Sequence, residues 1–116
     1  MNKPDCIFCK IAQKEIPAII VFENDRILAF EDVKPQAPAH ILIIPKHHIE
    51  RTSDLTESNI QLIGELVLAA KSLADQKGIQ RSGYRIVLNC GDDAGQEIFH
   101  LHLHLLGGRK FSWPPG

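Results

Sequence analysis

The sequence predicts an α+β fold, in which an antiparallel five-stranded sheet is combined with one long helix and one short helix. Two observations support this prediction. Five short runs rich in apolar and β-branched residues are separated by turns, and one long segment repeats apolar residues at helical spacing. No connection between the runs requires a parallel crossover, and a length of 116 residues suits a single domain spanning positions 1–116.

The first third of the chain predicts a short helix followed by a hairpin. The helix covers Ile7–Glu15 and is ended by Pro17, which lacks the N–H that a helix interior needs. Strands are expected at Ile19–Glu23 and Arg26–Glu31. They are joined by Asn24-Asp25, a residue pair that favours a tight turn.

The middle of the chain predicts a buried strand and the main helix. His40–Ile44 is apolar and β-branched on both faces, as expected of a central strand. Ile60–Ala74 repeats apolar residues at helical spacing and forms the long helix. Ser58 and Gln61 fit a capping box at its start, and Gly78 stands where a helix-terminating glycine belongs.

Charge and composition restrict the possible partners. Thirteen basic and fourteen acidic residues give a net charge of −1, which argues against a nucleic-acid partner because such binders carry a basic face. The longest apolar stretch, Ile16–Phe22, contains Pro17 and is far shorter than the ~18–20 residues of a membrane helix. The start of the chain has no apolar segment of signal-peptide type. We therefore expect a cytoplasmic protein without a membrane partner.

The three cysteines cannot all pair with one another. Cys6 and Cys9 form a C-x-x-C motif, which indicates metal or redox chemistry in a chain without an export signal. The alternative is a pair of small buried residues with no chemical role. A thioredoxin-like role is disfavoured because no strand of a βαβ unit precedes the motif. Cys90 is interpreted as a packing residue.

The last two strands are predicted at Tyr84–Asn89 and Leu101–Leu106, and the most informative segment of the sequence is His100–Leu106. Side chains alternate between the faces of a strand, so His100, His102 and His104 project from one face and the intervening leucines from the other. We expect the three imidazoles to line a common cleft. They could bind a metal, or attack phosphorus and stabilise its oxygens, or be merely solvated.

The segment His100–Leu106 resembles the signature of the histidine triad (HIT) family of nucleotide hydrolases and transferases. The rest of the chain is similar to the branch of small adenosine phosphoramidases called histidine triad nucleotide-binding proteins. The matching pieces, in chain order, are Cys6–Ile11, Phe30–Val33, Pro35–Pro38, His40, Ile44–Ile49, Asn89, Gly95-Gln96, Gly107–Arg109 and Trp113–Gly116.

This resemblance implies a homodimer with one extended sheet and a purine nucleotide such as AMP or GMP as ligand. It implies a purine nucleoside phosphoramidase in which His102 attacks the α-phosphate, forming a nucleotidyl-histidine that water hydrolyses to a nucleoside monophosphate. Two alternatives remain open. One is a zinc-stabilised nucleotide-binding regulatory module with little turnover, and the other is a dinucleoside polyphosphate hydrolase.

The resemblance also assigns roles to individual residues. His104 and Asn89 lie near the phosphate oxygens together with the backbone of Gly95-Gln96, and His100 completes the catalytic set. Asp32 accepts hydrogen bonds from the ribose, His40 lies behind the active site, and Trp113 approaches the partner's cleft. The residues that form the apolar base pocket are Ile7, Phe8, Ile11, Phe30, Val33 and Leu42.

Two further assignments concern an acid and a metal. Glu97 stands where animal members of this branch carry a serine that assists the leaving group, so Glu97 could be the general acid. Family members with C-x-x-C commonly bind one structural zinc ion. The corresponding ligands are Cys6, Cys9, His48 and His100.

Overall fold

Five antiparallel strands form one sheet in the computed structural model, which describes residues 3–116. In chain order the elements are α1 (Ile7–Ala12), β1 (Ile20–Glu23), β2 (Ile27–Glu31), β3 (Ala39–Pro45), α2 (Ile60–Lys77), β4 (Tyr84–Val87) and β5 (Leu103–Gly107). The strands lie in the order β1-β2-β3-β5-β4. The predicted α+β class and antiparallel five-stranded sheet are therefore confirmed.

The central strand β3 is buried along its whole length, as its uniformly apolar sequence predicts. Alternate residues point to opposite faces of the sheet. Ile41 and Ile43 belong to a core with α2, whereas Leu42 and Ile44 belong to a second cluster with Phe8 of α1. Helix α2 thus covers one face of the sheet and α1 the other. Because α1 is short, part of the sheet face on its side stays open.

Side chains of the last strand alternate between the two faces of the sheet, as predicted. Leu101, Leu103 and Leu105 are buried in the core with α2. In the register of β3 and β5, Leu42 pairs with His104 and His40 pairs with Leu106. His40 and Leu42 lie on the same face of β3, which places His104 beside them on the side covered by α1.

The last strand is shorter than the sequence predicts, because it begins at Leu103 and not at Leu101. Its ladder with β3 starts at the pair Ile43–Leu103, and β3 ends at Pro45, which has no N–H to donate. Before that point the Leu101 amide donates to the Ile49 carbonyl at 2.6 Å. His100 and His102 therefore precede the paired strand.

The helix ends also differ from prediction. α1 stops at Ala12, because Lys14 takes a positive φ of 67° and the Glu15 amide donates back to the Lys10 carbonyl at 2.8 Å. This hydrogen bond is that of a Schellman motif, which ends the helix without a glycine. The predicted end at Glu15 is therefore wrong.

The predicted capping box at the start of α2 is also wrong. Thr56 and Asn59 form the box, and they cap a 3-10 turn over Glu57–Asn59 that precedes the helix. At the other end the prediction is confirmed, because Gly78 takes the left-handed conformation with a φ of 73°. Within residues 3–116, neither helix combines the length and apolar character needed to span a bilayer.

Candidate active site and metal cluster

A cavity of about 650 Å³ lies between α1 and the face of the sheet that carries His104. Most residues predicted to bind substrate line it, namely Ile7, Phe8, Ile11, Phe30, Asp32, Val33, Leu42, Asn89, Gly95, Glu97, His102 and His104. Of the residues predicted for catalysis or substrate binding, three do not line it, namely Gln96, His100 and Trp113. His104 lines the cavity from β5, whereas His102 reaches the same wall from the segment that precedes this strand.

His102 lines the cavity with one nitrogen already engaged. Its Nδ1 lies 2.7 Å from the His100 carbonyl oxygen, which only accepts, so Nδ1 carries the proton in the neutral ring. Burial lowers the pKa of His102 from its ordinary value, and the ring of Phe8 packs edge-on at 5.1 Å between centroids. The neutral form therefore has its lone pair on Nε2, as a nucleophile requires.

His104 contacts a second buried histidine on the neighbouring strand. Its Nδ1 lies 2.9 Å from Nε2 of His40, and that nitrogen also lies 3.4 Å from Oδ2 of Asp32. Burial lowers the pKa of His104 to about 4 and also lowers the pKa of His40, although the Asp32 carboxylate acts in the opposite direction on both. Both imidazoles are therefore neutral near pH 7.

The loop before β3 completes this hydrogen-bonded chain. The Gln36 amide donates to Nδ1 of His40 at 3.0 Å, and the Lys34 amide donates to Oδ1 of Asp32 at 2.8 Å. Sequence reasoning assigned no role to Gln36 or Lys34, both of which line the cavity. Their signal is weak, because a proline-containing loop does not show which amide will face a strand residue four positions later.

The predicted phosphate-binding turn is arranged differently from expectation. Gly95 takes a φ of 84°, which favours glycine, but its amide donates to the Asp92 carbonyl at 3.0 Å. The Gln96 amide donates to the Gly91 carbonyl, also at 3.0 Å. Both amides are thus used within the turn, whereas the predicted role would have them face an anion.

The side chain of Gln96 fastens this turn to the rest of the protein. Its Oε1 accepts from the Gly91 amide at 2.9 Å, and its Nε2 donates to the carbonyls of Glu50 and Ile98 at 2.8 and 3.2 Å. It is buried and does not reach the cavity. Gln96 therefore holds the turn that carries Gly95 and Glu97.

Two predicted apolar contacts lie at or beyond the edge of the cavity. Val33 is 92% exposed at the rim, and Trp113 is 82% exposed outside it. The tail before Trp113 is held by Phe111, whose ring lies under the guanidinium groups of Arg109 and Arg85 at 4.2 and 5.1 Å. Within the described single chain, Trp113 does not contribute to the cavity wall.

The cysteine pair belongs to a compact cluster beside the cavity. Cys6, Cys9, His48 and His100 each present one donor atom, and these atoms all lie within 4.8 Å of one another. The two Nδ1 atoms of His48 and His100 are 3.2 Å apart, and each sulfur lies 3.3 to 3.5 Å from an imidazole nitrogen. Tetrahedral zinc with ordinary bond lengths separates two nitrogens by about 3.3 Å and nitrogen from sulfur by about 3.6 Å.

The tautomer of His100 also fits a metal. Its Nε2 lies 2.8 Å from the Pro45 carbonyl, so Nε2 carries the proton and Nδ1 presents a lone pair to the cluster. His100 is fully buried, and burial lowers its pKa to about 4. The four residues therefore form a Cys₂His₂ set consistent with structural Zn²⁺, and His100 lies in this cluster and not in the wall of the cavity.

Comparison with known proteins agrees with this arrangement. A family model described as the HIT domain matches residues 13–111. An uncharacterized HIT-like protein of Synechocystis sp. is 54% identical over 112 residues, which is 97% of each chain. A 14 kDa zinc-binding protein of Zea mays is 47% identical over 112 residues, which is 95% of this chain and 87% of the maize protein.

The structural match is equally extensive. The crystal structure of a HIT family hydrolase from Legionella pneumophila Philadelphia 1 superposes with a TM-score of 0.95 at 53% identity, covering 97% of this chain and 100% of that one. The similarity in sequence and the similarity in structure both extend over 97% of this chain. On this evidence, the chain belongs to the HIT domain family.

Proposed function

We propose that the protein is a hydrolase of purine nucleoside phosphoramidates and related nucleotidyl compounds, with His102 as the nucleophile. One observation carries this proposal. The hydrogen bond from Nδ1 of His102 to the His100 carbonyl, 2.7 Å long, leaves the lone pair on Nε2 of a neutral ring that lines the cavity. The hydrolase name of the Legionella structure supports the reaction class.

The reaction proceeds in two in-line displacements. Nε2 of His102 attacks the α-phosphorus and the phosphorus–nitrogen bond to the leaving amine breaks, with a proton transferred to that amine. Water then attacks the same phosphorus and breaks its bond to Nε2. The products are a nucleoside monophosphate such as AMP or GMP, the free amine and the regenerated imidazole.

The remaining cavity residues are proposed to bind the nucleotide. Asn89 and His104 contact the phosphate oxygens, where added hydrogen-bond donors stabilise the charge of the transition state. Asp32 contacts the ribose hydroxyls. The base packs against apolar side chains of α1, β2, β3 and the adjoining loop, which are Ile7, Phe8, Ile11, Phe30, Val33 and Leu42.

Glu97 is proposed to act on the leaving group. It lines the main cavity and also an adjoining cavity of about 350 Å³, so it lies where a group departing from phosphorus could leave. A carboxylic acid at this position can supply the proton that the departing amine requires.

Zinc has a structural role in this proposal. The ion would be held by Cys6, Cys9, His48 and His100, and when bound it supplies a crosslink between α1 and two distant segments. The name of the maize relative supports zinc binding. Because His100 also provides the carbonyl that orients His102, this crosslink would stabilise the position of the nucleophile.

A homodimer is also proposed. β4 is an edge strand of the sheet, and Ile86 on it is 37% exposed. A second copy added at this edge would extend the sheet and cover that residue. Light scattering coupled to gel filtration should give twice the 13.0 kDa chain mass, and a mass of one chain would contradict the dimer.

The proposed reaction is tested by trapping the intermediate. The zinc-loaded protein is mixed with an adenosine phosphoramidate, quenched in denaturant within the first turnover, and analysed by mass spectrometry. We expect an adenylyl adduct on the peptide that contains His102, and no adduct in His102→Ala. His47→Ala is the matched control, because His47 is exposed and does not line the cavity.

Two results would contradict the proposal. One is turnover of the phosphoramidate by His102→Ala at the rate of the unmodified protein. The other is binding of AMP by the unmodified protein with no turnover of any phosphoramidate tested, which would support a binding module instead.

A further inference from the structure

We infer that the backbone amide of Gln36 fixes the tautomer of His40 and thereby makes His104 a hydrogen-bond donor to the reacting phosphate. Gln36 is thus assigned as a positioning residue, acting through two imidazoles. The consequence for catalysis rests on the proposed function, whereas the tautomers themselves do not.

The first step concerns His40. The Gln36 amide lies 3.0 Å from Nδ1 of His40, and a backbone N–H can only donate. Nδ1 must therefore present its lone pair. A neutral imidazole carries one proton, so in His40 that proton is on Nε2.

The second step passes this assignment to His104. Nε2 of His40 lies 2.9 Å from Nδ1 of His104 and 3.4 Å from Oδ2 of Asp32, and the shorter contact makes His104 the main acceptor. Nδ1 of His104 therefore presents a lone pair. Its proton is on Nε2, at the opposite edge of a ring that lines the cavity.

The opposite assignment would reverse the role of His104. If His40 carried its proton on Nδ1, that proton would face the Gln36 N–H, and two donors at this distance repel each other. His104 would then donate from Nδ1 to His40 and present an Nε2 lone pair to the phosphate oxygens. One backbone amide therefore decides whether His104 attracts or repels these oxygens.

The neighbouring ring has the complementary arrangement. His102 donates from Nδ1 to the His100 carbonyl and so presents a lone pair on Nε2. The ring centroids of His102 and His104 are 5.0 Å apart. The two adjacent imidazoles thus have opposite functions. His102 is a nucleophile because its Nδ1 donates to a carbonyl. His104 is a hydrogen-bond donor because its Nδ1 accepts from the N–H of His40.

The loop holds the amide of Gln36 in place from several directions. The Gln36 side chain donates to the Lys34 carbonyl at 3.0 Å, and the Gln36 carbonyl accepts from Nε of Arg109 at 3.0 Å. Pro38 packs close to Gly108, where an added Cβ would lie 2.8 Å from the Pro38 Cβ. These contacts fix the direction of the amide, as a tautomer-selecting group requires.

The tautomers can be measured directly in the unmodified protein. Long-range proton–nitrogen correlation spectra of ¹⁵N-histidine-labelled protein at pH 7 distinguish a protonated from an unprotonated ring nitrogen. We expect the proton on Nε2 in both His40 and His104, and on Nδ1 in His102. A proton on Nδ1 of His40 or of His104 would overturn the inference, whether or not the protein hydrolyses any nucleotide.

A double-mutant cycle tests the catalytic consequence. Gln36→Pro removes the amide proton, and Gln36→Ala removes only the side chain. We expect Gln36→Pro to lower kcat for the phosphoramidate by about tenfold or more relative to Gln36→Ala, with a smaller change in KM, since an added transition-state donor is lost. In Gln36→Pro the His104 spectrum should also change from one tautomer to a mixture.

The His40→Gln background separates this role from a merely structural one. A glutamine amide nitrogen always donates and cannot change tautomer, so Gln36→Pro should alter kcat by less than about threefold there. Equal losses in the His40 and His40→Gln backgrounds would mean that Gln36→Pro only damages the loop, and would refute the assignment. If no phosphoramidate is turned over by the unmodified protein, the proposed function fails while the tautomer spectra still decide this inference.

Discussion

Replacing Phe8 tests whether α1 both stabilises the fold and supports the nucleophile. Phe8 is 4% exposed, and its ring lies edge-on to those of His102, Phe30 and His100, with centroids 5.1, 5.4 and 5.9 Å apart. It is the residue of α1 that touches the second core cluster, the cavity and the metal-cluster histidine together. Its loss should therefore affect both stability and activity.

The size of the stability effect follows from the burial of the ring. A buried phenylalanine removes about 150–250 Å² from water, or about 4–6 kcal/mol at about 25 cal/mol per Å². Alanine retains part of this area, so Phe8→Ala should lower the free energy of unfolding by about 3–5 kcal/mol. Phe8→Leu keeps most of the volume and loses the edge-on ring contacts, so about 1–2 kcal/mol is expected.

Urea unfolding followed by far-UV circular dichroism measures these differences in zinc-saturated protein. Leu68→Ala is the control, because Leu68 is 63% exposed on α2 and should cost less than about 1 kcal/mol. Phe8→Leu should also lower kcat several-fold, since the His102 ring loses its packing partner. A cost below about 1 kcal/mol for Phe8→Ala would show that α1 is not docked as described.

Three further predictions concern the loop beside the cavity, a buried imidazole and the metal. Gly108→Ala places a Cβ 2.8 Å from Pro38 at a φ of +91°, and we expect it to destabilise the fold by about 1–3 kcal/mol in urea unfolding. Gly83→Ala has a similar φ of +108° and nothing within 4 Å, so an equal cost would show that the Pro38 contact is irrelevant. Because the pKa of His104 is lowered from 6.5 to about 4, the unfolded chain binds a proton in this range that the folded chain does not. Stability should therefore fall as the pH drops from 6.5 to about 4, by at most about 1.4 kcal/mol per pH unit, because a single group takes up no more than one proton. Partial exposure of the ring reduces the effect below this limit. His104→Gln should flatten the slope, and unchanged slopes would contradict the shift. Cys9→Ala should abolish a zinc content of about one ion per chain and lower Tm, and full zinc content in this variant would refute the ligand set.

Local patterns in the sequence predicted the main features of the sheet. A strand projects alternate side chains to opposite faces, so the spacing of Leu103, His104 and Leu105 sufficed to separate a core side from a cavity side. β3 was predicted as buried on both faces because its apolar residues do not alternate with polar ones. Gly78 ended the long helix as expected, because a left-handed residue there favours glycine.

Other features depended on hydrogen bonds and backbone conformations that the residue pattern does not indicate. α1 ended before Glu15 because Lys14 accepted a left-handed conformation, which sequence preference assigns to glycine. The side chain of Gln96 turned inward to bond Glu50 and Ile98 instead of the cavity. In each case the outcome is set by particular hydrogen bonds, from Glu15 to Lys10 in the first and from Gln96 to Glu50 and Ile98 in the second.

The sequence by itself determined the fold class, the core-facing leucines of the last strand and the C-x-x-C spacing of Cys6 and Cys9, because these features follow from local patterns along the chain. Only the tertiary structure decided which nitrogen of each imidazole carries the proton, and it placed His100 outside the cavity wall that the alternation had predicted for all three histidines. The groups that decide this are the Pro45 carbonyl, the His100 carbonyl and the Gln36 amide, and of these only the Pro45 carbonyl is distant along the chain from its imidazole, by 55 positions. Identical side chains thus acquire different chemistry from the backbone groups that folding places against them.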